Sequence, residues 1–441
     1  MDTDTICAIA TPAGAGGLGV IRVSGPRAGA LAIAVLGKLP ASRFATLCRF
    51  RDENDQALDD GIALYFPGPA SFTGEDVLEL QGHGSPVVLG RLLTSLVARG
   101  ARYARPGEFT ERAFLNGKID LVQAEAVADL IASANEAAAR AAFRTLQGAF
   151  SETLNGLHER LVTLRTHVEA AFDFPDESLD TVADSALGTE LQTIRALVSE
   201  ALRRGREGRL LREGAHVVIA GAPNAGKSTL LNALVGHEAA IVSPYPGTTR
   251  DLVSEAVVME GLALRLTDTA GLRASDDPIE REGVRRAEAV LAQADCALWV
   301  VDDTESGAPP VAPQVPIPTL TVYTKIDRSG RSPGACREGF AVSAPTAAGL
   351  AELRRGIRAL ILGPEIAPGE EGVFTARRRH VQALECVEVA LAAAIARHEE
   401  GQMELVADEL RCAQDRLGEI TGRFTSDDLL GRIFADFCIG K

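Results

Sequence analysis

The sequence predicts a multidomain fold that combines α/β and all-helical parts. Its 441 residues fit about three domains by length. Short apolar strands alternate with helical stretches in residues 1–118 and again in 211–364, whereas apolar residues recur at helical spacing in 119–210 and 365–441. These observations predict an N-terminal α+β domain and a discontinuous helical domain that carries an inserted α/β domain.

Residues 1–118 are predicted to form the small α+β domain. Its strands are expected in four apolar runs, TICAIAT, LGVIRVSG, GIALYF and VLELQGH. Its two helices are expected over residues 26–36 and 85–98.

Two stripes of apolar residues predict the helical domain. The first stripe follows a 3-4-3-4 spacing, which places its members on one side of a helix; it consists of Leu154, Leu157, Leu161, Leu164 and Val168. The second stripe repeats the pattern with Val406, Leu410, Ala413, Leu417 and Ile420. One helical domain with an insertion is the simplest interpretation, and two separate helical domains are the alternative.

The inserted segment is predicted to form a doubly wound parallel sheet. Its apolar runs HVVIAG, ALRLTD, CALWVVDD, TLTVYT and EGFAVSA alternate with helices expected over 227–236, 280–293 and 348–362. One stretch breaks the pattern, because the five prolines of residues 305–318 forbid a crossover helix. That stretch is predicted to be a loop.

Charge and hydropathy limit the classes of partner. A formal net charge of −15 argues against broad electrostatic binding of nucleic acid, so such contacts must come from local basic runs. Residues 203–212 and 376–380 are candidates, although helix faces paired with neighbouring acids are the commoner explanation. The longest apolar run, residues 389–396, is too short for a membrane span.

The N-terminus and the cysteines indicate a cytoplasmic protein. The N-terminal residues are acidic, whereas a signal or transit peptide would be basic. Seven scattered cysteines without a C-x-x-C pair fit reduced thiols better than disulfides or a zinc site.

A phosphate-binding loop is predicted at GAPNAGKS, residues 221–228. Gly221, Gly226, Lys227 and Ser228 match the spacing of a P-loop, and the motif lies between an apolar strand and a helix, as this loop requires. Backbone N–H groups would bind the phosphates, Lys227 would neutralise the β and γ groups, and Ser228 would bind Mg²⁺.

Further motifs predict that the nucleotide is GTP. DTAG (268–271) would place Asp268 near Mg²⁺, and Thr249 of GTTRD would sense Mg²⁺ and the γ-phosphate. In TKID (324–327), Asp327 can accept both N–H groups of guanine, although the usual first residue of this motif is Asn and here it is Thr324. The predicted GTP-binding residues are Asn224, Ala225, Gly226, Lys227, Ser228, Thr229, Ser243, Thr248, Thr249, Asp268, Thr269, Ala270, Gly271, Thr324, Lys325, Asp327, Ser343 and Ala344.

The residue after DTAG is Leu272, so this position offers no Gln to orient the attacking water, and no arginine finger is evident. Asn224, together with the loop at 243–249, is a candidate site for a monovalent cation that would supply the missing positive charge. Glu280 is a candidate for orienting the water.

Four other motifs accompany these: IRVSG (21–25), EDVLELQGHG (75–84), a run at 105–131 that begins RPGEFTERAFLNGK, and the terminal CIGK. With them, the whole chain resembles the MnmE (TrmE) family of tRNA-modification GTPases. The resemblance implies a folate-binding, dimerising N-terminal domain, a discontinuous helical domain and an inserted Ras-like P-loop GTPase domain. It also implies that a homodimer acts with the FAD- and NADH-dependent partner MnmG to add a carboxymethylaminomethyl or aminomethyl group to C5 of the wobble uridine of certain tRNAs.

The resemblance also implies roles for individual residues. 5-Formyltetrahydrofolate or a related tetrahydrofolate would contact Arg22, Glu79, Lys118 and Lys441. Potassium would bind Asn224, Ser243, Tyr245 and Thr248; Mg²⁺ would bind Ser228 and Thr249; and Glu280 would be the catalytic acid. Two rival functions are a regulatory GTPase that binds ribosome or RNA, and a one-carbon enzyme in which the GTPase only sets the timing.

The C-terminal residues FADFCIGK, 434–441, are predicted to form an arm that docks. A final helix is expected over 426–434, and Phe437 and Ile439 are expected to anchor the residues beyond it. This arm would bring Lys441 and Cys438 to the folate site, where Cys438 is either a nucleophilic thiol or a small buried apolar residue.

Overall fold

The computed structural model divides the chain into two compact units by internal contacts. The first comprises Met1–Ala128, Thr145–Val198 and Ala383–Lys441, and the second comprises Asp129–Arg144 and Ser199–Gln382. The domain boundaries drawn from the sequence stay predictions. The structure describes residues 4–173, 181–236, 254–259, 262–268, 294–305, 317–362, 374–423, 427–435, 437 and 439–440.

A six-stranded sheet forms the N-terminal part of the first unit. Its spatial order is β3-β4-β5-β2-β1-β6, and neighbouring strands are antiparallel except for the parallel pair β1–β6. The four runs expected as strands all contribute. The strands are β1 (Ile6–Ile9), β2 (Gly16–Ser24), β3 (Thr46–Arg51), β4 (Ala57–Phe66), β5 (Val77–Gly84) and β6 (Arg102–Tyr103).

Helices cover one face of this sheet. Helix α1 (Ala28–Leu36) and helix α2 (Pro86–Ala98) start within two residues of the predicted positions and pack onto a core that includes Ile21, Phe50 and Leu80. Sequence analysis missed β3, β6 and helix α3 (Glu108–Leu115). None of these elements shows the usual apolar pattern clearly. Strand β3 carries arginines on its outer positions, β6 has only two residues, and the surface of α3 is polar.

Long helices follow the sheet domain and return at the end of the chain. Both predicted apolar stripes are buried, on α6 and on α12, and these two helices pack against each other. The helices are α4 (Leu121–Ile131), α5 (Glu136–Leu146), α6 (Ala149–Asp173), α7 (Thr181–Glu213), α11 (Arg378–Glu399), α12 (Met403–Thr421) and α13 (Asp427–Ala435).

The second unit contains a seven-stranded sheet in the order β12-β13-β11-β10-β7-β9-β8. Its five central strands are parallel, as predicted, but β8 and β12 are antiparallel edge strands that the prediction of a parallel sheet did not include. The strands are β7 (Ala215–Gly221), β8 (Ser254–Met259), β9 (Leu262–Asp268), β10 (Cys296–Asp302), β11 (Thr319–Thr324), β12 (Gly334–Cys336) and β13 (Gly339–Ala341).

Three described helices accompany this sheet, α8 (Lys227–Val235), α9 (Ile326–Ser329) and α10 (Leu350–Leu362). The core between sheet and helices includes Val217, Leu230, Leu298 and Ile357, each nearly inaccessible to solvent. The helix expected over 280–293 and most of the proline-rich stretch lie outside the described residues. In open α/β sheets of this kind, ligands bind outside the carboxyl ends of the parallel strands.

The basic run at 203–212 lies on α7 and is largely neutralised. Arg203 pairs with Glu207, Arg209 pairs with Asp295, and Arg212 pairs with the buried Asp129. These ion pairs support the explanation of a helix face paired with neighbouring acids. In the part of the chain that the structure describes, no helix combines the length and apolar character that crossing a membrane requires.

Candidate functional site

The loop between β7 and α8 is built for close approach of a ligand. Gly221 ends the strand at a φ of 151°, and a Cβ there would lie 2.2 Å from the backbone oxygen of Val300. Only glycine avoids this clash. The loop then feeds directly into α8, whose N-terminal N–H groups point toward the loop as an anion site requires.

Lys227, the first residue of α8, is held under this loop. Its ammonium donates hydrogen bonds to the backbone oxygens of Gly221 and Ala222, at 2.9 and 2.7 Å. Burial lowers the pKa of Lys227, and the nearby Asp268 carboxylate acts in the opposite direction. The ammonium therefore lies near two neutral carbonyl oxygens and one carboxylate. Oxygens of a bound phosphate could take the place of the carbonyls as its hydrogen-bond acceptors.

Two oxygen donors meet beside this lysine. Asp268 ends β9, which pairs with β7, and its Oδ2 accepts a 2.7 Å hydrogen bond from Ser228 Oγ. A hydroxyl and a carboxylate are hard oxygen ligands of the kind that Mg²⁺ prefers. Within the described ranges, no group of three or more His, Cys, Asp or Glu side chains is arranged so that it could hold a metal ion by itself.

The end of β11 faces the same loop. Thr324 Oγ1 lies 2.6 Å from the backbone oxygen of Ala225, and the Lys325 ammonium donates to the backbone oxygen of Asn224 at 2.8 Å and to the Asp302 carboxylate. Burial would raise the pKa of Asp302, but hydrogen bonds from this lysine and from Thr304 lower it to about 2. The contacts fix the first two residues of TKID against the P-loop.

A carboxylate completes this edge of the sheet. Asp327 Oδ1 accepts a 2.7 Å hydrogen bond from Ser343 Oγ, and Ser343 is 1% exposed. This contact orients the acid that was predicted to bind guanine. Six of the predicted GTP-binding residues lie outside the described residues: Ser243, Thr248, Thr249, Thr269, Ala270 and Gly271.

Tyr245, which was predicted to bind potassium, also lies outside the described residues. The predicted catalytic acid Glu280 also lies outside the described residues. The structure therefore brings together Lys227, Ser228 and Asp268 on the phosphate side of the site, and Asp327 with Ser343 on the base side.

A second charged site lies on the N-terminal sheet. Arg22 on β2 and Glu79 on β5 are opposite each other in register, and their side chains form an ion pair of 2.8 Å. The rings of Phe72 and Phe109 each lie 5.8 Å from the Arg22 guanidinium carbon. Sequence analysis missed both aromatic residues, although Phe109 belongs to the quoted run at 105–131.

A buried ionic network borders this site and was also missed. Arg112, 8% exposed as a side chain, pairs with Asp4, Glu75 and Glu108. Burial would raise the pKa of Glu108, but hydrogen bonds and charge from Arg102 lower it to about 2. The motif RPGEFTER contains charges of both signs, which indicates that ion pairs could form. The spacing of these residues does not show which of them pair.

The described part of the C-terminal arm contacts the same domain. Phe437 is buried in a cluster with residues of α4 and α13, and Gly440 adopts a φ of 94°. A Cβ at Gly440 would lie 2.4 Å from the backbone oxygen of Ile9, so the arm passes directly over β1. The expectation that Ile439 anchors the arm is wrong, because this side chain is 62% exposed.

The remaining predicted folate contacts divide into two groups. Lys118 is exposed and donates a 3.0 Å hydrogen bond to the backbone oxygen of Pro69, in the loop that carries Phe72. Cys438 and Lys441 lie outside the described residues. The geometry therefore brings Arg22 and Glu79 together and holds Lys118 on the neighbouring loop.

Comparison with known proteins identifies the family. A model described as "MnmE helical domain" matches residues 121–438, and one described as "GTP-binding protein TrmE N-terminus" matches residues 5–118. The chain belongs to the MnmE family of tRNA modification GTPases. It is 51% identical to the protein named tRNA modification GTPase MnmE of Methylococcus capsulatus, over 100% of this chain and 99% of that one.

Other MnmE relatives match over the same extent. The protein of that name from Alkalilimnicola ehrlichii is 51% identical, with 100% of both chains covered, and the one from Legionella pneumophila strain Paris is 49% identical, again with 100% of both covered. The N-terminal domain, the helical domain and the P-loop domain of this chain are therefore the parts of an MnmE protein.

Proposed function

We propose that the chain is a potassium-activated GTPase that works with MnmG to modify certain tRNAs. The pair would add a carboxymethylaminomethyl or aminomethyl group to C5 of the wobble uridine, U34, using a one-carbon unit from a tetrahydrofolate. One observation carries the GTPase part of this proposal: Lys227 and the pair Ser228–Asp268 lie at the P-loop, and the pair Ser343–Asp327 lies just beyond the strand end where Thr324 contacts that same loop.

The described residues suit the two ends of a guanine nucleotide. The Lys227 ammonium would exchange its carbonyl partners for oxygens of the β- and γ-phosphates, and Ser228 and Asp268 would hold Mg²⁺. The Asp327 carboxylate, oriented by Ser343, would accept the two N–H groups of guanine. Adenine lacks this pair of donors, so ATP would leave the carboxylate without them.

Potassium is proposed to supply positive charge where an arginine finger would otherwise act. Asn224, Ser243, Tyr245 and Thr248 would bind it, and Glu280 would orient the attacking water. Of these residues the structure describes Asn224, which lies in the P-loop. Its backbone has a φ of 61°, and its side chain is exposed. An amide oxygen is a suitable ligand for a hard cation.

The test is the rate of GTP hydrolysis in potassium chloride and in sodium chloride at equal ionic strength. Potassium should raise the rate strongly, because an arginine finger is worth about 10³-fold or more where one is present. Glu280→Ala should keep GTP binding and lose hydrolysis, since only the transition state needs the oriented water. Equal rates in the two salts would contradict the proposed role of potassium.

The N-terminal site is proposed to bind 5-formyltetrahydrofolate or a related tetrahydrofolate. Glu79 would bind the amide-like edge of the pterin, while Arg22, Lys118 and Lys441 would bind its acidic groups. Phe72 and Phe109 add aromatic surface beside the Arg22–Glu79 pair, which suits a flat heteroaromatic ligand. The passage of Gly440 over β1 supports an arm that ends near this site.

The chain is proposed to form a homodimer through residues 1–118. On the sheet face turned away from α1 and α2, Leu47 is 76% exposed and its cross-strand neighbour Ile62 is 40% exposed. An apolar surface on an open sheet face suits a second copy of the chain. GTP would then bring two G domains together, and scattering profiles that match with GDP and with a transition-state mimic would argue against that movement.

The proposed partners follow from the same reaction. MnmG would contribute FAD and NADH chemistry in a heterotetramer or larger complex, and tRNA would be the substrate, in the cytoplasm. Mass spectrometry of the wobble uridine from a deletion strain tests this part. Loss of the C5 group, restored by the wild-type gene, is the expected result.

A further inference from the structure

Thr324 is the least accessible polar residue at the end of β11. It is 3% exposed, and its Oγ1 lies 2.6 Å from the backbone oxygen of Ala225 and 3.1 Å from that of Val301. Both neighbours are acceptors. A hydroxyl has one proton, so Thr324 donates its hydrogen bond to the protein backbone, with the P-loop residue Ala225 as the nearer acceptor.

The position of Thr324 relative to Asp327 indicates which part of a bound guanine it would face. This step rests on the proposed binding of GTP. Asp327, three residues further along the chain, would take the Watson–Crick edge, whereas Thr324 contacts the P-loop, where the phosphates would bind. The imidazole ring of guanine carries both the ribose and the acceptor N7. A side chain between the P-loop and Asp327 therefore lies nearer the imidazole end of the base, which carries N7, than its Watson–Crick edge.

The chemistry of threonine limits what it can do there. An asparagine has two N–H donors, so it could contact the P-loop backbone and also donate to N7. The Thr324 hydroxyl has no second proton, and it is already directed at a backbone oxygen. Among the described neighbours, the Lys325 ammonium is also engaged, by the backbone oxygen of Asn224 and by the Asp302 carboxylate.

We propose that Thr324 is a positioning residue that holds β11 to the P-loop by a hydrogen bond and makes no hydrogen bond to N7 of guanine. Selection for guanine then depends on the Watson–Crick edge, through Asp327 and its partner Ser343. The protein should therefore tolerate a guanine nucleotide that lacks the N7 acceptor, while it rejects one that lacks the 2-amino group.

The test is calorimetric titration of the full chain with GDP, with two analogues of it, and with ADP. 7-Deaza-GDP replaces N7 by a C–H group, and inosine diphosphate lacks the 2-amino group. The Kd for 7-deaza-GDP should lie within about twofold of that for GDP, whereas inosine diphosphate should bind about tenfold more weakly, the loss typical of a hydrogen bond to a charged group. A tenfold weaker Kd for 7-deaza-GDP, or equal Kd values for GDP and inosine diphosphate, would overturn the proposal.

Two variants sharpen the result. Thr324→Asn should introduce discrimination of about fivefold between GDP and 7-deaza-GDP, because its amide adds a donor toward N7. Thr324→Val removes the hydroxyl at similar volume and should weaken both nucleotides by the same factor. If Thr324→Val weakens the binding of GDP more than that of 7-deaza-GDP, the hydroxyl does hydrogen-bond N7 and the proposal is wrong.

The wild-type comparison decides the question even if neither variant folds. Failure of the proposed GTP binding has a different signature. In that case no guanine nucleotide would bind with a preference over ADP, whereas failure of the present inference would leave guanine preferred and N7 required.

Discussion

The nucleotide site and the N-terminal charged site are built in opposite ways. The P-loop is one continuous segment between β7 and α8, and its lysine contacts backbone only five and six residues away. Arg22 and Glu79 are 57 residues apart and meet only because β2 and β5 pair in one register. A site made by one loop can be predicted from spacing, whereas a site made by strand pairing depends on the fold.

The two sites also treat their charges differently. The hydrogen bonds of Lys227 go to neutral backbone oxygens, so its charge is available to a phosphate. Arg22 and Arg112 are already paired with carboxylates. Substitutions at the first site should therefore change ligand binding above all, and substitutions in the ionic network of the second should change stability.

The largest expected effect is on nucleotide binding. Lys227→Ala should weaken GDP and GTP binding by about 100-fold, because two charge-assisted hydrogen bonds to phosphate are lost. Calorimetric titration measures this, with Arg265→Ala as the control, since Arg265 is an exposed cation on β9. An unchanged affinity of Lys227→Ala for GDP and GTP would show that this lysine does not bind the phosphates.

The next effect is on stability and concerns Glu108. Its pKa falls from an ordinary 4.5 to about 2 in the folded chain, so the unfolded chain binds the proton more readily. The resulting stabilisation, on the order of 3 kcal/mol, is present above pH 4.5 and lost as the pH falls toward 2. Glu108→Gln should therefore lower the free energy of unfolding at pH 7 and flatten its decline in acid.

Denaturant unfolding at pH 7 and at pH 3 checks this prediction. Asp60→Asn is the matched control, because Asp60 pairs with Arg49 on the exposed surface of the same sheet, where ion pairs add little. If both variants show the pH dependence of the wild type, the buried network does not stabilise the domain in the way described.

The smallest predicted effect is at the base side of the nucleotide site. Ser343→Ala removes the 2.7 Å hydrogen bond to Asp327 and should weaken GDP binding by about two- to tenfold, with a similar loss of preference over inosine diphosphate. Ser329→Ala, which removes an exposed hydroxyl that bonds Asp303, is the control. Equal effects of the two substitutions would mean that Ser343 does not orient Asp327.

Much of the fold followed from local patterns in the sequence. The stripe from Leu154 to Val168 and the stripe from Val406 to Ile420 repeat at helical spacing, and both are buried. The P-loop could be located because GAPNAGKS joins an apolar strand to a helix, and each of these elements forms. In such cases the residues that decide the structure are neighbours in the chain.

The features that were missed depend on distant partners. The edge strand β8 forms by pairing with β9, and the ionic network joins Asp4 to Arg112 across 108 residues. Gly440 contacts Ile9 only because the arm returns to β1. The exposure of Ile439 shows the same limit, since an apolar residue in a short segment can face either the domain or the solvent.

We propose that GTP hydrolysis and one-carbon chemistry use separate sites, and that the C-terminal arm serves the second. The most direct measurement compares Cys438→Ser and a deletion of residues 438–441 with the wild type, scoring GTP hydrolysis, binding of 5-formyltetrahydrofolate and wobble-uridine modification. Both variants are expected to hydrolyse GTP at the wild-type rate and to lose modification, and the deletion is expected to weaken folate binding as well. Full modification by the deletion variant would contradict it.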